Sequence, residues 1–199
     1  MSVLLLVLLS PLLISVSAAL LLRQGSPILF RQHRIGRGFV PFEIVKFRTM
    51  EPSGPARTSF DPARTPPVTV IGRRLRAFKL DELPQLVNVL RGDMSLVGPR
   101  PEVPDWVAHD SPEWQHVLRV RPGLTDHASL AYFDEAALLE RSADARELYR
   151  EQILPRKLAL SARYVDELSL RGDLSLLTRT CLRVLVRKGF HTDRERAIR

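Results

Sequence analysis

Four short segments carry side chains suited to handling phosphate. The segment Lys79-Leu80-Asp81-Glu82-Leu83-Pro84-Gln85 sets two adjacent carboxylates beside Arg73, Arg74, Arg76 and Lys79. A helix is predicted to start here, because Leu83, Leu86, Val87 and Leu90 recur at helical spacing and Pro84 suits a first turn. An Asp-Glu pair at such a place is ordinarily a capping device that opposes the helix dipole. The neighbouring cations favour another use. With the backbone donors of a free helix start they suit a diphosphate, and Asp81 and Glu82 amid them could hold Mg²⁺ while one stays ionised as a nucleophile. Their side chains leave a helix about 100° apart, so the two can take separate tasks.

The other three segments are basic. Arg91-Gly92-Asp93-Met94-Ser95-Leu96-Val97-Gly98-Pro99-Arg100-Pro101 places Arg100 between two prolines, which restrict the backbone on either side of it. A guanidinium presented that way can grip two phosphate oxygens, although a surface turn with an exposed arginine explains this segment taken alone. In Lys46-Phe47-Arg48-Thr49-Met50, strand alternation points Lys46 and Arg48 to one face and Phe47 to the other. Solvated charges on an edge strand are the alternative there. Arg119-Val120-Arg121-Pro122-Gly123-Leu124-Thr125-Asp126 is a further basic turn, with Arg121 as its candidate phosphate contact.

At 199 residues the chain is long enough to bury a real core as one domain. Residues 2–22 contain no ionisable side chain, so the formal net charge of +8 belongs to residues 23–199. A part so basic expects an anionic partner: a nucleic acid, a lipid surface or a phosphorylated substrate. Aromatic residues make up only 7% and are not interleaved with basic ones in the way that stacks bases, so nucleic acid is the weakest of the three. Cys181 is the single cysteine, which excludes internal disulfides and thiolate clusters and favours a reducing compartment.

Residues 2–22 are mostly Leu, Val, Ile and Ala, long enough as a helix to cross a hydrocarbon layer of about 30 Å. Ser10-Pro11 falls at the middle, where proline removes a donor and predicts a bend, and Ser10, Ser15 and Ser17 can return hydrogen bonds to freed carbonyls. Three readings stand: a cleaved signal peptide, which lacks its basic start; a spanning helix; and a bent helix that enters one leaflet and returns. Arg23, Arg31, Arg34 and Arg37 follow, which puts the globular part on the cytoplasmic side in either membrane reading.

Further along, Ile28-Leu29-Phe30 and residues 39–47 read as strands joined by a Gly36-Arg37-Gly38 turn. Pro52, Pro55, Pro62, Pro66 and Pro67 mark a loop. Gly92 closes the helix begun near Leu83, and Ser111-Pro112-Glu113 starts another. Residues 134–189 are expected to be helical, with breaks near Pro155 and Gly172. The last helix, over about 174–188, sets Arg179, Arg183, Arg187 and Lys188 beside a face of Leu177, Cys181 and Leu185. Such a helix suits an anionic leaflet, and equally a solvated helix packed on a core.

Taken in order, KFRTM, then LDELPQLVNVLRGDMSLVGPRPE, then RPGLTD closely resemble the bacterial sugar transferase family, the monotopic phosphoglycosyl transferases. The likeness runs over about residues 26–185, and residues 79–102 are its most specific part. It is to the family's small form, a catalytic domain with one membrane segment. The resemblance implies an α+β fold: a compact, helix-rich domain with a short β-hairpin, over residues 24–199, with a C-terminal interfacial helix. Residues 1–23 would be the membrane-inserted helix, re-entrant and broken at Ser10-Pro11. It implies transfer of a sugar phosphate from a UDP-sugar to polyprenyl phosphate at the cytoplasmic face of the bacterial inner membrane, against inner-leaflet phospholipid, releasing UMP. On this resemblance Asp81 is the nucleophile, Mg²⁺ contacts Asp81 and the diphosphate, and Arg76, Arg48 and Arg100 bind phosphate or substrate; Glu82 is expected either to help hold Mg²⁺ or to manage the proton of the incoming lipid phosphate. The chain departs from the family pattern in four places: a charged stretch before the apolar segment, a serine at position 79, an Asp-Pro-Arg run before Ile71, and a Thr-Gly after Leu124 are each absent.

Two other functions compete. A glycosyltransferase using the same substrates would cleave the sugar C–O bond and release UDP. A scaffold that merely binds anionic lipid would need no Asp-Glu pair.

Overall fold

A computed structural model describes residues 2–51 and 66–186; Met1, Pro52, Pro55, Pro62, Arg187 and Lys188 lie outside them. Helix α1 runs over Ser2–Gln24, and its helical course continues through Pro11. Proline at 11 leaves the Val7 carbonyl without its usual donor, and the Ser10 hydroxyl supplies one at 2.7 Å. Ser15 and Ser17 hydroxyls likewise donate to the Pro11 and Leu13 carbonyls. The side chains of Val16 and Leu20 are buried against Phe47 and Leu75, with Leu13, Ile28, Ile71 and Leu80 around them. One face of the second half is thus packed on the domain, while Ile14, Leu21 and Leu22 there, and Val3, Leu4, Val7 and Leu8 of the first half, are exposed.

Strands β1 (Leu29–Ile35) and β2 (Pro41–Phe47) form an antiparallel hairpin with Leu29 opposite Phe47. The first strand is longer than its apolar start suggests: Arg31, Gln32, His33 and Arg34 continue it, alternating between its faces, and each lies opposite a residue of β2. A 3-10 turn over Arg37–Phe39 joins the strands, with Gly38 at φ 64°. Helix α2 (Val70–Ala77) is capped by Thr69, whose hydroxyl accepts from Gly72 N.

The region from Leu80 is not α-helical at once: Leu80–Gln85 is a 3-10 turn, and α3 (Leu86–Arg91) follows, closed by Gly92 at φ 87°. Lys79, at φ 54°, makes the left-handed step that reverses the chain between α2 and this turn. Asp81 and Glu82 therefore sit in a tight turn, not on a helix with a free start.

Two three-residue strands, β3 (Ser95–Val97) and β4 (Gly123–Thr125), pair in parallel. This was not legible in the periodicity. A Cβ on Gly98 would lie 2.5 Å from the Arg121 carbonyl oxygen, and one on Gly123 would lie 2.2 Å from Gly98 N. The arginine-bearing loops thus meet backbone to backbone. Helix α4 (Pro112–Val117) has Ser111 as its cap, as expected.

Short helices α5 (His127–Ala131), α6 (Glu135–Leu139) and α7 (Ala145–Leu148) lead through a π turn, Tyr149–Ile153, into α8 (Leu154–Asp166). Pro155 does not break the helix. It occupies the first turn of α8, and the π turn passes the carbonyl it cannot serve. Helix α9 spans Leu170–Leu185, so the interruption precedes Gly172: Ser169 caps the helix by accepting from Gly172 N. The described residues thus form a mixed, helix-rich fold with small sheets and one apolar N-terminal helix.

Candidate active site

The 3-10 turn lies across β2, held by Asn88, which is fully buried. Its side chain accepts from Val45 N at 3.1 Å and donates to the Glu43 carbonyl at 2.7 Å, stapling α3 to the strand. This brings Lys46 Nζ to 3.3 Å from Glu82 Oε1. From the other side, Arg100 meets Glu82 with both guanidinium nitrogens, Nη1 at 3.0 Å from Oε2 and Nη2 on Oε1. The loop bearing Arg100 is pinned from both flanks: Gly123 N donates to the Pro99 carbonyl, and Arg34 donates to that of Pro101. The bracketing prolines and a backbone clamp together fix the fork.

Two adjacent carboxylates thus acquire opposite characters. Burial alone would push Glu82 up, but Arg100 and Lys46 outweigh it and hold the group well below the usual carboxylate range. Asp81 goes the other way. It is 7% exposed, and its Oδ1 is buried without a hydrogen-bond partner among the described residues. Burial and the neighbouring Glu82 raise it, against the pull of Lys46, Lys79 and Arg76. Lys46 is lowered to about 8 by burial despite its contact with Glu82. The outcome is one fully paired carboxylate that fixes cations in place, and one carboxylate surrounded by those cations with an oxygen to spare.

Of the other sequence candidates, Arg76 is brought in. Its Nε donates to Thr49 Oγ1 at 2.8 Å, and its charge acts on Asp81. Arg48 is turned elsewhere: its Nη2 donates to the carbonyls of Gln24 and Gly25, at the end of α1. Strand β2 ends at Phe47, and Lys46 and Arg48 serve different partners. Arg121 is exposed, with its guanidinium near Gly92. Arg73 and Arg74 are exposed on α2. Lys79, one of the cations the sequence sets beside the pair, stacks over Phe133 at 4.7 Å and acts on both carboxylates.

Sequence reasoning missed a second buried polar group. Glu102 accepts from Lys157 Nζ at 2.7 Å and from the Tyr149 hydroxyl at 2.5 Å, Lys157 also pairs with Glu135 at 3.0 Å, and Arg34 stands 3.8 Å from Glu102. These residues are scattered over the chain, and only Glu102 follows a recognisable motif.

For a divalent cation, the described residues hold no group of three or more His, Cys, Asp or Glu side chains placed to bind it. Both Glu82 oxygens are engaged by Arg100 and Lys46. The unpartnered Oδ1 of Asp81 is the hard oxygen donor that fits Mg²⁺, an ion that commonly takes one or two carboxylates with substrate phosphates completing its shell.

Comparison with known proteins bears on this arrangement. The family model for bacterial sugar transferases matches residues 1–187. The UDP-glucose:undecaprenyl-phosphate glucose-1-phosphate transferase of Caulobacter vibrioides is 41% identical over 181 residues, covering 86% of this chain and 61% of that protein. The undecaprenyl-phosphate glucose phosphotransferase of Komagataeibacter xylinus is 38% identical over 92% of this chain, but this chain covers only 34% of it. The exopolysaccharide production protein ExoY of Sinorhizobium fredii is 33% identical, with 94% of this chain and 83% of that protein aligned. The chain thus spans about three-fifths of the Caulobacter relative and a third of the Komagataeibacter one. It belongs to the bacterial sugar transferase family.

Proposed function

We propose that this protein transfers a sugar-1-phosphate from a UDP-sugar to polyprenyl phosphate, through a phospho-sugar carried on Asp81. The observation that carries the reading is the Asp81 carboxylate, buried among Lys46, Lys79 and Arg76 with a free oxygen, beside a Glu82 wholly committed to Arg100 and Lys46. A diphosphate repels an anionic nucleophile, and fixed cations around that nucleophile lower the barrier without reorganising. An Asp81 oxygen attacks the phosphorus bearing the sugar. The bond from that phosphorus to the bridging oxygen breaks, and UMP leaves with the electron pair. An oxygen of polyprenyl phosphate then attacks the same phosphorus and frees the Asp81 carboxylate. Arg76, Lys46 and Arg100 hold donor phosphate charge, and Glu82 keeps Lys46 and Arg100 in place. Bound at Asp81 together with the donor's diphosphate, Mg²⁺ would neutralise charge on the phosphates.

The acceptor is a lipid, so the site must lie at a membrane surface. Helix α1 is long and apolar enough to cross a membrane. Leu13, Val16 and Leu20 are taken up by the domain, however, and residues 2–12 cover only about 16 Å of a layer roughly 30 Å thick. This supports a segment that enters the leaflet and does not cross it. Leu170, Leu174, Leu182 and Leu185 are exposed on α9 and support contact of that helix with the same surface. By the basic residues Arg23 and Arg37 beside the segment, the surface is the cytoplasmic face of the inner membrane.

The test is a panel of UDP-sugars offered to purified protein with undecaprenyl phosphate and Mg²⁺. UMP is the expected nucleotide, and UDP would instead mark a glycosyltransferase. With donor alone, the peptide containing Asp81 should gain the mass of the sugar phosphate. Turnover without that adduct would remove Asp81 from the mechanism.

A further inference from the structure

We infer that Thr49 is a positioning residue, joining the end of the membrane helix to the catalytic carboxylate by holding Arg76 in place. Helix α2 meets it directly, and α1 reaches it through Thr69. The Thr49 hydroxyl accepts from Arg76 Nε at 2.8 Å. Its carbonyl accepts from Thr69 N at 3.0 Å and from the Thr69 hydroxyl at 3.3 Å. Thr69 is the cap of α2, and its hydroxyl also accepts from the Gln24 side chain, on the last residue of α1, at 3.1 Å. The contact between α2 and Thr49 is close enough to exclude any side chain: a Cβ on Gly72 would lie 2.1 Å from the Thr49 carbonyl oxygen. Gly72 and Arg76 are four apart on α2, hence on one face, so the approach at Gly72 directs the Arg76 guanidinium to the Thr49 hydroxyl. The preceding residue, Arg48, secures the Gln24 and Gly25 carbonyls.

Here Arg76 gives its Nε to a neutral acceptor, and so keeps its charge for Asp81 and the donor diphosphate. Thr49 is 5% exposed and touches none of the reacting atoms by any described contact. It acts through Arg76.

This inference rests on the role proposed above for Asp81, and the experiment separates the two. Full-length protein is prepared as wild type, Thr49→Val, Thr49→Ser, Arg76→Gln and Thr49→Val/Arg76→Gln, and UMP release is followed with the donor that wild type uses. Thr49→Val should lose about tenfold or more in kcat, the size expected when a charged donor loses its acceptor, with acceptor KM unchanged. Thr49→Ser, which keeps the hydroxyl, should stay within about threefold. In the Arg76→Gln background, Thr49→Val should cost no more than about a further twofold, because its only route is already cut. Should Thr49→Val melt well below wild type, Thr49→Ala takes its place in the cycle. Wild-type kcat in Thr49→Val, equal damage from Thr49→Ser, or losses that multiply with Arg76→Gln would each overturn the assignment. Wild-type protein that releases no UMP with any donor would overturn the Asp81 reading, and this one with it.

Discussion

Glu102 is buried and Glu82 nearly so; both are gripped by cations, and both are held below the usual range against the cost of burial. Their surroundings differ in one respect. Around Glu102, the Lys157 ammonium, the Tyr149 hydroxyl and Glu135 answer one another in a closed set, which ties α8 and the π turn to the loop after Arg100. Around Glu82 the set is left open, because Asp81 stands alongside with an oxygen that nothing among the described residues satisfies. A satisfied network rigidifies a fold. An unsatisfied carboxylate among cations costs stability and is kept where chemistry needs it.

Asp81→Asn breaks the open side and should have the largest effect. UMP release should fall by at least about a thousandfold, measured with the donor that wild type uses. Its melting temperature should not drop, since a strained buried charge has gone; a clear fall would mean that Asp81 is structural. Arg100→Ala comes next. It strands Glu82 without its main partner, and both activity and stability should suffer, the latter by about 3–5 kcal/mol in a denaturant titration. Lys157→Met breaks the closed set instead. It should cost a similar or smaller free energy, while the fraction still folded keeps kcat within about threefold, because the described contacts of Lys157 are with Glu102, Glu135 and Tyr149 and not with Asp81 or Glu82.

The smallest effect is in the pH dependence of stability. Glu102 has a lowered folded-state value, so its contribution is present above the ordinary glutamate range and is lost as pH falls through the folded value. Asp81 has a raised value, so its penalty is present above that value and disappears as pH falls. Glu102→Gln should therefore flatten the acid loss of stability, and Asp81→Asn should steepen it. Melting curves from about pH 7 down to about pH 2, which reach below the ordinary carboxylate values, would compare the two. Matching slopes would erase the distinction.

Much of the site was legible in the sequence because its parts are local. The Asp81-Glu82 pair, the bracketed Arg100 and the end of β2 are each contiguous words, and Gly36-Arg37-Gly38 gave the hairpin its turn. The helix start near Leu83 was read correctly in place and wrongly in kind, because Lys79 takes a left-handed step that no periodicity reveals. Lys46 and Arg48 looked equivalent by alternation. What separates them is the end of α1, which supplies carbonyls to one and not the other. The Glu102 network and the β3–β4 pair lay out of reach, since each joins residues far apart in the chain through contacts that depend on the finished fold.

The meeting of Gly98 with Gly123 has a consequence for what substitutions the chain can accept. With no room for even a methyl group between the two backbones, alanine at either position must part β3 from β4 or push Pro99 outward. Either movement carries the Arg100 fork off its carboxylate. An inactive enzyme could thus arise from a change bearing no charge, no polarity and no contact with substrate.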